Sequence, residues 1–221
     1  MVADPSTSEY TDLVTTNGFE PAMFDPGVTL NRATKARIAD GVNEILKAIG
    51  SENLDPQGTE RTPLRVAEMF DELLNGYSID PDQLLNGALF DVEYDQMVVV
   101  KSIEYYSLCE HHLLPFYGYA HVGYLPDKKV VGLSKIPRIV DMFARRLQVQ
   151  ERMTQEIASF LDTLIEPRGV GVVVEGTHMC TVMRGVRKQD PRMITSAMMG
   201  SLLDNPATRD EFMEHLRNAS I

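Results

Sequence analysis

The chain has 221 residues, 43% hydrophobic and 24% charged, which is long enough for a sizeable core and ordinary for a globular protein. Its net charge of −11 argues against a general nucleic-acid binder, and no run of about 18 apolar residues is present to span a membrane. Two cysteines exclude a disulfide framework, and Met1-Val2-Ala3-Asp4-Pro5 lacks the basic and apolar regions of a secretory signal, so the expectation is free thiols in a reducing cytoplasm.

Residues 1–28 are polar, with Pro5, Pro21 and Pro26, and read as a mobile arm that a partner subunit would order. From Asn31 the pattern turns helical: Ile38, Val42, Ile45, Leu46 and Ile49 recur at three and four residues, and Gly50 ends the run. Thr62-Pro63 reads as an N-cap followed by proline at the first helical position. Val66, Met69, Phe70, Leu73 and Leu74 form the buried stripe of that second helix, and Gly76 stops it. Residues 77–95 are turn-rich. Strands follow at Met97–Ser107 and Tyr117–Leu125. Helices are expected over Ile136–Leu147 and Glu151–Ile165. A strongly apolar strand starts at Gly169 and runs on toward Met183, with another near Met193–Met199 and a last helix after Asn205-Pro206.

The order of the second half is strand, strand, helix, helix, strand, strand. That predicts an α+β fold, an antiparallel four-stranded sheet with two helices on one face. Residues 1–95 read as an N-terminal arm and helical region, and residues 96–221 as the domain built on this sheet. A four-stranded sheet has two open edges, which natural proteins pair or cover. Closing them between subunits points to a homo-oligomer. Residues 128–152 hold seven Lys/Arg against two Asp/Glu, which fits either a small anionic ligand or a solvated basic helix face.

Chemistry concentrates in two places. Cys109-Glu110-His111-His112 holds one of two cysteines and two of five histidines, and Cys180 lies in His178-Met179-Cys180. Cys109 and His112 make a Cys-x-x-His pair, a spacing that lets one tight loop supply two zinc ligands. Cys180 would be a third ligand, leaving the fourth position for water as in catalytic zinc; alternatively His111 closes a structural site. On a strand, His178 and Cys180 share a face, which places His178 within reach as a general acid/base. Ser134-Lys135 and Arg138 open a helix, whose N-terminus and cations suit a phosphate, and Arg184 can join them; plain capping by Ser134 is the other reading. Glu151 either complements a helix dipole or, with Gln150, reads a purine edge.

These residues resemble GTP cyclohydrolase I. The resemblance rests on Cys109-Glu110-His111-His112, on Gly132-Leu133-Ser134-Lys135 with Arg138, on Ala144 through Arg152, on His178-Met179-Cys180 with Met183-Arg184-Gly185, and on Thr62-Pro63-Leu64-Arg65. It runs from about residue 35 to the C-terminus and departs at Gln189-Asp190-Pro191-Arg192. It implies conversion of GTP and water to formate and 7,8-dihydroneopterin triphosphate, the entry to folate and other pterins. It further implies zinc on Cys109, His112 and Cys180, with water activated at the metal attacking guanine C8. His178 would handle protons at the imidazole ring, His111 would be a second catalytic histidine, and Ser134 would assist the ribose steps. Gln150 and Glu151 would hold the guanine edge, and Lys135, Arg138, Arg184 and Arg65 the triphosphate. The implied fold is the tunnelling fold, a decamer built as a pentamer of dimers whose sheets close a barrel, with active sites between subunits. Two alternatives stand beside it: a paralogue that opens the ring to another product or uses iron, and a non-catalytic, zinc-stabilised binder of guanine nucleotides.

Overall fold

In the computed structural model, which describes residues 30–217, Asn31 caps the first helix, and its side-chain oxygen accepts from the Thr34 N–H at 2.9 Å. Helix α1 spans Arg32–Ile49, and Gly50 ends it with φ of 99°. The expected arm, residues 1–28, lies outside the described residues. A short α2 (Pro56–Thr59) leads into α3 (Thr62–Leu73), which packs against α1. Thr62 is not the cap but the first residue of α3. Arg61 holds the cap position without a side-chain bond. Of the two predicted stripes, Ile38, Val42, Leu46, Val66, Phe70, Leu73 and Leu74 are half-buried and Ile45, Ile49 and Met69 stay exposed, while the buried residues of these helices are Ala39, Pro63 and Ala67. Gly76 is a docking point more than a stop. Its N–H donates to the Arg145 carbonyl at 3.0 Å, and a Cβ there would lie 2.4 Å from the Met142 carbonyl oxygen.

After α4 (Pro81–Leu85), β1 (Leu89–Asp91) pairs antiparallel with β4 (Lys129–Val131), a contact that straddles residue 95. The main sheet contains β2 (Val98–Cys109), β3 (Pro115–Leu125), β5 (Leu147–Gln148), β6 (Gly169–His178) and β7 (Met193–Gly200), in the order β5-β2-β3-β6-β7. Strands β2, β3, β6 and β7 pair antiparallel in that order, as expected. The two-residue β5 was not expected. It runs parallel to the end of β2, with Leu147 beside Leu108 and Gln148 beside Cys109.

Helices α5 (Lys135–Ala144) and α6 (Gln150–Ile165) cover one face of the sheet. Ile136, Ile139, Met142, Ile157 and Leu161 pack there against Tyr105, Phe116, Val122 and Val172. Each side chain so buried contributes roughly 1.5–3 kcal/mol. A single-turn α7 (Met179–Val182) follows β6, and α8 (Ser201–Asp204) and α9 (Pro206–Arg217) follow β7. Phe212 of α9 packs with Val173 and Leu202 on the other face, which also exposes Tyr106, Tyr117 and Tyr119.

Two backbone irregularities set the functional end of the sheet. The register of β2 slips between Val100 and Ile103, where Ser102 takes φ of 57° and donates its N–H to His121 Nδ1 at 3.1 Å. Before the bulge, even-numbered Val98 and Val100 face the helices; after it, odd-numbered Ile103, Tyr105, Ser107 and Cys109 are buried. The extra residue therefore turns Cys109 to the helix-covered face. At the other edge of the pair, β6 ends at His178 and does not run toward Met183. The chain folds there into α7, so Cys180 is brought forward by a helical turn and not by strand alternation.

Candidate active site

Strand β2 ends in a tight loop. Cys109 N–H donates to the Leu114 carbonyl at 2.9 Å, and the Cys109 carbonyl accepts from Leu113 N–H at 2.8 Å and His112 N–H at 3.2 Å. Leu113 takes the left-handed region, with φ of 54°, to close it. The loop thus carries His111 and His112 back over Cys109. The Nδ1 of His112 lies 3.9 Å from Cys109 Sγ, and the Nδ1 of His111 lies 3.8 Å from it.

The donor atoms of Cys109, His112 and Cys180 all lie within 4.8 Å of one another. His111, weighed above as a further ligand, is not in that mutual group. Burial pushes the Cys180 thiol above its ordinary range, and the adjacent Cys109 pushes it further. Two sulfurs this close would both be thiolates only with a cation between them, and two sulfurs with an imidazole are a donor set that suits a soft or borderline divalent metal. The residues present therefore fit a metal ion. Arg184, expected to join a phosphate site, donates from Nη1 to His112 Nε2 at 2.8 Å.

The His178 ring is held by two neighbours. Its ring stacks on Phe116, its cross-strand neighbour, with centroids 4.7 Å apart and planes 3° from parallel. Its Nε2 meets Gln150 Oε1 at 2.9 Å. The Gln150 amide donates to the Val174 carbonyl at 3.0 Å and the Met193 carbonyl at 3.1 Å. With these two carbonyls and Thr195 Oγ1, at 3.1 Å, all accepting around the amide nitrogen, Oε1 must be the atom facing the imidazole, and His178 Nε2 must carry a proton. Burial holds the His178 pKa below its ordinary value, against a smaller opposite pull from Glu151, so the neutral ring keeps its free lone pair on Nδ1. Gln150 is fully buried and its side chain is engaged by protein, so of the pair expected to read a guanine edge only Glu151 presents an exposed side chain.

Cys109, His111, His112, Gln150, Glu151 and His178 all line one cavity of about 630 Å³, together with Cys180. Ser134, Lys135, Arg138 and Arg65 are not among its lining residues. Ser134 is exposed at the cap of α5 and makes no side-chain cap bond. Lys135 is buried, with Nζ donating to the Leu84 carbonyl at 2.7 Å. Arg138 lines a separate cavity of about 480 Å³ with Glu72, Asp141 and Arg145, and Arg65 is exposed on α3. One chain thus gathers the metal-type donors, His178 and Glu151, but not the full set of cations. Sequence reading missed Phe116 beneath His178 and the pair Arg152–Glu110. The second left a trace: a cation in the first turn of a helix opposes the helix dipole and calls for a nearby anion.

Fold and site together define an α+β protein with a cation-ready Cys–His–Cys group beside a positioned histidine. Residues 38–217 match the sequence profile of the GTP cyclohydrolase I family. GTP cyclohydrolase 1 of Leptospira biflexa is 52% identical over 179 residues, covering 81% of this chain and 97% of that one. GTP cyclohydrolase 1 of Chlorobaculum tepidum is 50% identical over 195 residues, covering 88% and 87%. That of Gloeobacter violaceus is 53% identical over 175 residues, covering 79% and 81%. The chain belongs to the GTP cyclohydrolase I family.

Proposed function

We propose that Cys109, His112 and Cys180 hold a zinc ion, and that the chain uses this centre for its family's reaction, conversion of GTP and water to formate and 7,8-dihydroneopterin triphosphate. The enzyme activity itself, GTP cyclohydrolase in pterin and folate synthesis, follows from family membership over most of the chain. The observation that carries the mechanistic reading is the meeting of the three donor atoms, His178 and Glu151 in one cavity.

Zinc, when bound, supplies Lewis-acid activation of water near neutral pH. The chain's own residues do the rest. His178, with Nε2–H fixed on Gln150, has Nδ1 left to take or give a proton at the guanine imidazole ring. His111, an exposed residue lining the same cavity, is the second proton-transfer group. Guanine presents N1–H and an amino group side by side, two donors that the Glu151 carboxylate accepts together. Gln150 supports this recognition from below by orienting His178.

Arg184, Lys135, Arg138 and Arg65 hold the triphosphate, whose negative charge favours charge-assisted bonds to such cations. Ser134 assists the later ribose steps. Lys135, Arg138, Ser134 and Arg65 lie away from the Cys–His cavity of their own chain, which favours their acting in a neighbour's site. We therefore propose a homo-oligomer, a decamer whose sheets close a barrel, with residues 96–221 as its catalytic domain and residues 1–95 as the helical appendage.

The test is a pair of variants. Cys180→Ala should lose zinc through gel filtration, and full metal content would refute the three-ligand site. His178→Ala should keep zinc and fold while formate release falls by about 100-fold or more. Unchanged turnover would remove His178 from the mechanism.

A further inference from the structure

Arg152 is the third residue of α6, where the helix dipole presents its positive end and a cation is disfavoured. Glu110 offsets it. Arg152 Nη2 donates to Glu110 Oε2 at 2.5 Å and to the Leu147 carbonyl at 3.1 Å, while Nε donates to Gln148 Oε1 at 3.0 Å. Gln148 is itself buried and fixed, its amide donating to the Phe143 carbonyl at 3.1 Å and to Glu156 Oε2 at 2.7 Å. The guanidinium is therefore aimed before it meets Glu110.

Glu110 sits in the chain between Cys109 and His111-His112. Its own N–H donates to the Gln148 carbonyl at 3.1 Å, beside the parallel pair of Cys109 with Gln148. The ligand loop is thus fastened twice to the segment that opens α6, once through backbone and once through Arg152. The other Glu110 oxygen lies 4.0 Å from His111 Nε2, so the same clamp faces the second histidine. A partly exposed ion pair adds little to global stability. Its leverage is local, because this loop supplies two of three donors and their placement against Cys180 sets how well a metal is held.

We propose that Arg152 is a positioning residue of the metal centre, holding the Cys109–His112 loop through Glu110 so that its two donors meet Cys180. The proposal rests on the three-ligand reading above. The test measures zinc affinity of the full chain by competition with a chromophoric chelator, in wild type, Arg152→Met, Arg152→Lys, Glu110→Gln and the Arg152→Met/Glu110→Gln double variant. Arg152→Met and Glu110→Gln should each weaken zinc binding about tenfold. The double variant should be no weaker than the poorer single, since the pair acts as one unit. Arg152→Lys, which keeps the charge but not the fork, should recover part of the loss. Thermal unfolding of the metal-free proteins should shift little.

Wild-type affinity in both single variants would overturn the proposal. So would losses that add in the double variant, or losses matched by a large drop in metal-free melting temperature. A wild type that takes up no zinc would instead overturn the three-ligand reading, and the proposal with it.

Discussion

Gly176 leaves no room for a methyl group: a Cβ there would lie 2.4 Å from Tyr105 Oη and 2.5 Å from Gln150 Oε1. Both neighbours are side-chain atoms and can yield, but the one that matters holds His178. Gly176→Ala should therefore fold, keep its zinc and lose formate turnover by on the order of 10–100-fold, because His178 loses its anchor. Unchanged kcat at full metal content would show that Gln150 does not set the histidine. The residues of chemistry were legible in sequence because their types are rare and their spacing is tight: Cys109 with His112, and Cys180 two residues from His178. The work of Gln150 was not, because its partners Val174 and Met193 lie 24 and 43 residues away and only the folded sheet supplies them.

The helices of the second half were legible because their apolar stripes are long and sit against the sheet, and the predicted ranges of α5 and α6 lie within a few residues of those observed. Two short elements were not. The two-residue β5 carries no periodic signal of its own and exists because the end of β2 offers it a partner. Met179–Val182 is apolar with β-branched residues and reads as more strand, yet it coils into α7, so local preference yields to tertiary context. On α6 itself, burial holds the Asp162 carboxyl above its ordinary value, with no other cause opposing it. The native chain then binds more protons than the unfolded chain in the window just above that ordinary value, and stability falls as pH rises through it. Asp162→Asn should raise the melting temperature at pH 7 slightly, and the advantage should vanish at pH 3, where the native and the unfolded carboxyl are both protonated. An equal gain at both pH values would contradict the burial argument.

The molecule as a whole carries surface that one chain leaves uncovered. Ile45, Ile49, Leu64 and Met69 are exposed on the N-terminal helices, and Leu133, Met183 and Val186 are exposed in turns further along the chain. A contiguous apolar patch marks an interface, and the proposed oligomer would cover these side chains. Met69 belongs to the stripe predicted as buried on α3, and burial within a partner rather than within the chain is the proposed reason for the difference. Light scattering should give a mass about ten times the 24.8 kDa of the chain, and a monomer that turns over GTP would contradict the shared site. No described helix is long and apolar enough to cross a membrane. The measurement that bears most directly on the account is one incubation of zinc-loaded protein with GTP, following formate and pterin absorbance together. Formate and 7,8-dihydroneopterin triphosphate should rise in step, one for one. Formate without that pterin, or neither product with zinc confirmed on the protein, would contradict it.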